Sequence, residues 1–148
     1  MDSKSKEMLF EAWRKKSANK FADDNAMNIE YNGEIYTAGE VRFLRYINEN
    51  PDKTSIQLAR ESGKTRGSVS LIMKKLTEKN LALFQDDPLH RKRKKIIITS
   101  LGHEICRIRE DYDMDKATEF ISALEEKYSS EELDFIMPAI CDVISLIN

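Results

Sequence analysis

The sequence predicts a mainly α-helical fold with one small β-hairpin, and three observations carry that expectation. Apolar residues recur at helical spacing, most clearly Val69, Ile72, Met73 and Leu76 at i, i+3, i+4 and i+7, which at 100° per residue places them on one stripe. Thr37 with Glu40, Thr54 with Gln57 and Ser129 with Glu132 have the spacing of a capping box, in which two side chains satisfy backbone N–H groups that a helix start leaves without partners. Residues 81–85 and the β-branched residues 96–99 read as two strands, with Asp86, Asp87 and Pro88 beginning the turn between them.

A first helix is expected over residues 5–22, with Leu9, Trp13 and Phe21 on one side and Met8, Ala12 and Ala22 in support. Residues 29–36 form a link, or a small hairpin closed by Asn32 and Gly33. Thr37 opens a helix whose buried stripe is Val41, Leu44 and Ile47, and Asn50 before Pro51 ends it. Thr54 opens a short helix with Ile56, Leu58 and Ala59 inward and Gly63 at its C-terminal turn. Thr65 caps the next helix only two residues later. Two short helices joined by a tight glycine turn make a helix-turn-helix, and a hairpin directly after them makes it winged. Asn80 supplies the left-handed residue that stops the second of these helices.

Leu101 and Gly102 are expected to break the chain ahead of a long helix over residues 103–127, with Ile105, Ile108, Tyr112, Phe120, Ile121 and Leu124 at broadly helical period. Ser129 opens the last helix, in which Leu133, Ile136, Met137, Ile140, Val143, Ile144 and Ile147 form a wide stripe, and Pro138 is expected to kink that helix or sit near its first turn. That stripe is more apolar than a solvent-facing terminus needs, so a partner surface is expected there, and a second copy of the chain is the simplest partner.

A chain of 148 residues with 41% hydrophobic and 34% charged residues is one domain's worth of ordinary globular sequence. Its apolar runs are a few residues long, as at 96–98, so neither a membrane span nor a signal peptide is expected, and the polar N-terminus points to the cytoplasm. Cys106 and Cys141 lie far apart without a C-x-x-C motif, which suits reduced thiols.

The net charge of −2 would argue against a nucleic-acid partner were it evenly spread. From Lys53 to Lys95, however, twelve Lys and Arg stand against four acids, a local balance of +8, whereas from His103 onward twelve acids stand against four bases. Such a chain can turn one face to a polyanion. Within the basic stretch Gly67, Ser70, Leu71 and Lys74 point away from the apolar stripe of the second short helix, with Arg66, Ser68 and Lys75 on its flanks. Double-stranded DNA is the expected partner. The helix would enter the major groove, with Thr65 leaving backbone N–H groups at the positive helix end toward phosphate. Arg66, Ser68, Ser70, Leu71 and Lys74 would meet base edges or adjoining phosphates, and Lys64 and Lys75 the backbone. Leu71 is apolar on an otherwise polar face, which contact with a thymine methyl would explain. Arg91, Lys92 and Arg93, in the basic hairpin tip, would reach the minor groove.

Other chemistry finds little support. The sequence has no phosphate-cradling loop, no nucleophile elbow and no H-E-x-x-H, so no enzyme and no cofactor are expected. His103 and Cys106 lie three apart on one helix, but with Glu104 or Glu110 as thirds they fall short of a metal site. A metal- or thiol-sensing regulator and a winged-helix adaptor for protein contacts remain as alternatives.

Taken in order, the stretch from Tyr36 to Glu40, Leu58-Ala59 before Gly63, Thr65 to Ser70 with Leu76, and Ile98-Thr99 before Gly102 resemble the MarR family of winged-helix regulators. The resemblance covers residues 35–105. It implies a single domain over residues 1–148, in which a winged helix-turn-helix lobe at 35–102 is flanked by dimerisation helices and a link at 1–34 and 103–148. It further implies a homodimeric transcriptional repressor on a pseudo-palindromic operator, with a small-molecule effector between lobes and dimer helices. By position, Lys92 falls where the family has a wing arginine and His90 where an aspartate often braces it; lysine keeps the charge and loses the planar fork.

Overall fold

Hydroxyl caps start the helices where the sequence places them. In a computed structural model, which describes residues 1–18 and 28–146, the order of elements is α1 (Ser3–Ala18), β1 (Ile29–Tyr31), β2 (Glu34–Tyr36), α2 (Ala38–Glu49), α3 (Ser55–Ser62), α4 (Arg66–Glu78), β3 (Ala82–Asp87), β4 (His90–Ile98), α5 (Ser100–Glu125) and α6 (Ser130–Leu146). Thr37 and Thr54 form complete capping boxes with Glu40 and Gln57. Ser129 and Glu132 do the same ahead of α6. Gly63 and Asn80 take the left-handed conformation that ends α3 and follows α4. Of the residues expected in the first helix, Phe21 and Ala22 lie outside the described residues, as do the side chain of Trp13 and, at the other end, Ile147.

The chain forms two compact units. One runs from β1 to the start of α5 at Ile108, around a core in which Leu44, Leu58, Leu76, Leu81 and Ile105 are fully buried. The other joins α1, the remainder of α5 and α6, where Leu9 and Ala12 pack with Ile121, Met137 and Cys141. Among the described residues no helix is long and apolar enough to cross a membrane.

Four local features decide between or differ from the sequence expectations. The stretch 29–36 is a hairpin rather than a link, pairing Ile29 with Tyr36 and Tyr31 with Glu34. Asn32 and Gly33, at φ 52° and 78°, supply the two positive angles that a tight right-twisting turn requires. Ile56 points outward and is half exposed, because Leu58, Ala59 and Ser62 supply the inward face of so short a helix. The second hairpin is longer than expected, with strand structure up to Asp87 and again from His90.

Gly102 does not break the chain, since α5 already begins at Ser100. Thr99 caps this start: its hydroxyl oxygen accepts from the Gly102 N–H at 3.0 Å, and its hydroxyl donates to the Asn80 carbonyl at 2.6 Å. A Cβ on Gly102 would collide with the Leu81 carbonyl oxygen and lie 2.6 Å from Ile98 Cγ2. Glycine is there so that the helix can approach the hairpin's base closely.

Candidate nucleic-acid interface

The apolar stripe of α4 anchors it in the core through Val69, Met73 and Leu76, with Ile72 packed at the edge. The Thr65 hydroxyl oxygen accepts from the Ser68 N–H at 3.1 Å, and its own hydrogen goes to Ser68 Oγ. That fixes the helix start. Arg66, Gly67, Ser68, Ser70, Leu71, Lys74 and Lys75 are consequently all exposed, as is Lys64 in the turn before.

Two neighbouring grooves show what this face adjoins. The first, of about 370 Å³, lies between α3, α4 and β3, with Arg66, Ser70 and Lys74 along one side and Ser55, Ile56 and Phe84 along the other. The second, of about 530 Å³, lies between the start of α3 and the wing strands, where Arg60 faces Lys92, Arg93 and Lys94. Ser55, Ile56 and Phe84 line both, so the Arg66, Ser70 and Lys74 edge of α4 and the basic wing border one surface.

The wing hairpin has an irregular register with a chemical consequence. Ala82 to Asp86 pair in step with Ile98 to Lys94, but the next pair is Asp87 with His90. Arg91, Lys92 and Arg93 therefore stand opposite no residue of β3, as a bulge that removes three consecutive cations from the ladder. The Arg91 side chain itself lies outside the described residues. The turn is held by the Leu89 N–H, which donates to Asp87 Oδ1 at 3.0 Å. Among the described residues neither Lys92 nor Arg93 forms an ion pair, nor does Arg66 or Lys75. Lys74 is loosely paired with Glu78 at 3.8 Å across the helix surface.

Two of the twelve basic residues belong to the fold instead. Lys79 donates to the Ile35 carbonyl at 2.7 Å and to Glu40 Oε2 at 2.8 Å, and stands over the Tyr36 ring. Glu40 is 5% exposed. Burial alone would raise its carboxyl, yet the hydrogen bonds from Lys79 and Thr37 outweigh that and hold it below the ordinary carboxylate value. Lys53 is paired with Glu61. In the other direction, sequence reasoning missed Ser55, Ile56, Arg60 and Phe84. The cap at Thr54 carried a signal for the first, since it puts Ser55 at a positively polarised helix start.

Among the described residues no three His, Cys, Asp or Glu side chains gather to hold a metal ion. His103 is exposed, whereas Cys106 is buried in the core.

Comparison with known proteins bears on the fold. Residues 44–81, from within α2 to just past α4, match the family model described as winged helix-turn-helix DNA-binding. No curated protein sequence matches the chain. Similar solved structures include FabT of Streptococcus pneumoniae in complex with DNA, at 18% identity and a TM-score of 0.59, covering 80% of this chain and 79% of that one. The MepR–DNA complex of S. aureus is similar at 20% identity and a TM-score of 0.57, over 76% and 82% of the two chains. A structure described as a MarR family transcription regulator aligns over 94% and 80%, at 17% identity and a TM-score of 0.56. The fold class is thereby defined: mainly α, with a winged helix-turn-helix, and with α1, α6 and the part of α5 beyond Ile108 in the other compact unit. Its particular fold is the one seen in the MarR family regulators.

Proposed function

We propose that the protein is a sequence-specific, DNA-binding transcriptional regulator of the MarR type, acting in the cytoplasm as a homodimeric repressor. The observation that carries this reading is the shared surface, in which the cations of α4 and those of the wing bulge border the same three residues, Ser55, Ile56 and Phe84. In it, α4 enters the major groove of a pseudo-palindromic site, and Lys92 and Arg93, with Arg91 beside them, follow the backbone into the minor groove. Bound DNA would occlude a promoter until a small-molecule effector altered the spacing of the two lobes.

The second copy is supported by α6, which has two apolar faces. Leu133, Met137 and Cys141 are buried, while Phe135 and Leu146, on the opposite side, are 86% and 83% exposed. Replacing both with Glu should leave the fold in place and turn a sedimenting dimer into a monomer. A wild-type chain that already sediments as a monomer would end the dimer reading. DNA binding is tested by replacing Arg91, Lys92 and Arg93 together with Ala. The slope of log K against log salt should flatten by about 0.9 for each phosphate that the wing no longer neutralises, and an unchanged slope would place the wing off the duplex.

A further inference from the structure

The outward face of α4 holds two residues that nothing else in the protein explains. Gly67 is the second residue of the helix, its φ is not positive, and a Cβ added there would meet nothing within 4 Å. Glycine weakens a helix relative to alanine, yet neither backbone conformation nor internal packing requires it. Leu71 lies one turn further along the same face and is 56% exposed. Around the pair stand Arg66, Ser70, Lys74 and Lys75, all exposed and hydrophilic.

Bare backbone at Gly67 beside the Leu71 side chain makes a shallow apolar notch in a cationic, hydroxylic surface. The cations select a polyanion as the occupant, and within a DNA major groove only one base edge offers an apolar group, the 5-methyl of thymine. Adenine and guanine would set donors or acceptors against the Leu71 side chain, which cannot bond them. Resting on the reading of α4 as the DNA-reading helix, we propose that Gly67 and Leu71 form a notch for a thymine methyl, fixing one T·A pair in each half-site.

The full-length protein is used to select duplexes from a random pool. Failure to enrich any duplex removes the DNA reading, and this proposal with it. In an enriched duplex each thymine is then replaced by 2′-deoxyuridine, which deletes the methyl and no hydrogen bond. At one position per half-site wild-type affinity should fall about fourfold, the effect of one buried methyl. Leu71→Ala should bind the thymine duplex more weakly and show no further loss at that position. Gly67→Ala should raise the melting temperature of the free protein while lowering its affinity, an opposition that a purely structural glycine cannot produce. The proposal is overturned, with the DNA reading intact, if no deoxyuridine changes wild-type affinity by more than about twofold, or if Leu71→Ala keeps the full penalty.

Discussion

Two regions of the winged lobe use the same residue types in opposite ways. At the seam where α4 ends and α5 begins, a lysine and a glycine serve the fold. Lys79 ties the end of α4 to Glu40 and to the Ile35 carbonyl, and Gly102 vacates space that the Leu81 carbonyl fills. On the outward face of α4, Lys74 has only a loose surface pair, and Gly67 opens onto nothing. Composition cannot separate the two pairs. What separates them is whether the protein itself supplies the partner, and an unmet partner on an ordered, cationic face is the signature of a ligand.

The sharpest way to break the comparison is to treat the two glycines alike. Gly102→Ala should destabilise by roughly 3 kcal/mol, the upper end of overpacking costs, because the new atom meets backbone that cannot turn aside. Gly67→Ala should instead stabilise by up to about 1 kcal/mol. Thermal melts of the two variants, read against wild type, decide it. Equal shifts in one direction would mean that the seam and the face are not different environments.

The lysines come next. Lys79→Met leaves the Glu40 carboxylate buried without its cation, and should cost about 2–3 kcal/mol. The pH dependence has a definite sign. A carboxyl held low in the folded state adds stability that is present above its ordinary value of 4.5 and lost as pH falls through the folded value. The gap between wild type and Lys79→Met in urea midpoint should therefore narrow between pH 7 and pH 3. A gap that stays constant would mean that Lys79 acts through packing on Tyr36 rather than through charge.

Much of this architecture was legible in the sequence because its signals are local. Capping boxes at Thr37, Thr54 and Ser129, the stripe of α4, and the left-handed Gly63 and Asn80 depend only on neighbours within about a turn. What escaped depends on distant packing. Gly102 looks like a helix breaker until Leu81 is brought against it, and Ile56 looks like core until the inward face of α3 proves already filled. The same limit governs the charged surface. Lys79 is indistinguishable from Lys74 and Lys75 until Ile35 of β2 and Glu40, 44 and 39 residues away in sequence, are brought against it, and the bulge that takes residues 91–93 out of the ladder is a matter of register. The outward set on α4 was readable because helix periodicity alone separates it from the stripe. Arg60 and Phe84 were not, because they join it only through the packing of other elements.

The smallest expected effect is also the one that holds the comparison together. Lys74 and Glu78 are 3.8 Å apart with side chains 70% and 61% exposed, and a lysine four residues before a glutamate is the weaker orientation for such a pair on a helix. Lys74→Ala should change stability by less than about 0.5 kcal/mol, far below the loss at Lys79. Its consequence belongs to binding: on DNA the variant should flatten the salt dependence by about 0.9 in log K per unit log salt, the value for a single neutralised phosphate. The two measurements constrain each other. If Lys74→Ala unfolds the protein as readily as Lys79→Met, α4 draws on both lysines for its stability, and the outward face loses its claim to be kept for a ligand. If it alters neither stability nor salt dependence, Lys74 lies beyond the reach of the duplex, and α4 must sit in the groove by its N-terminal turn, where Arg66 and Ser70 are.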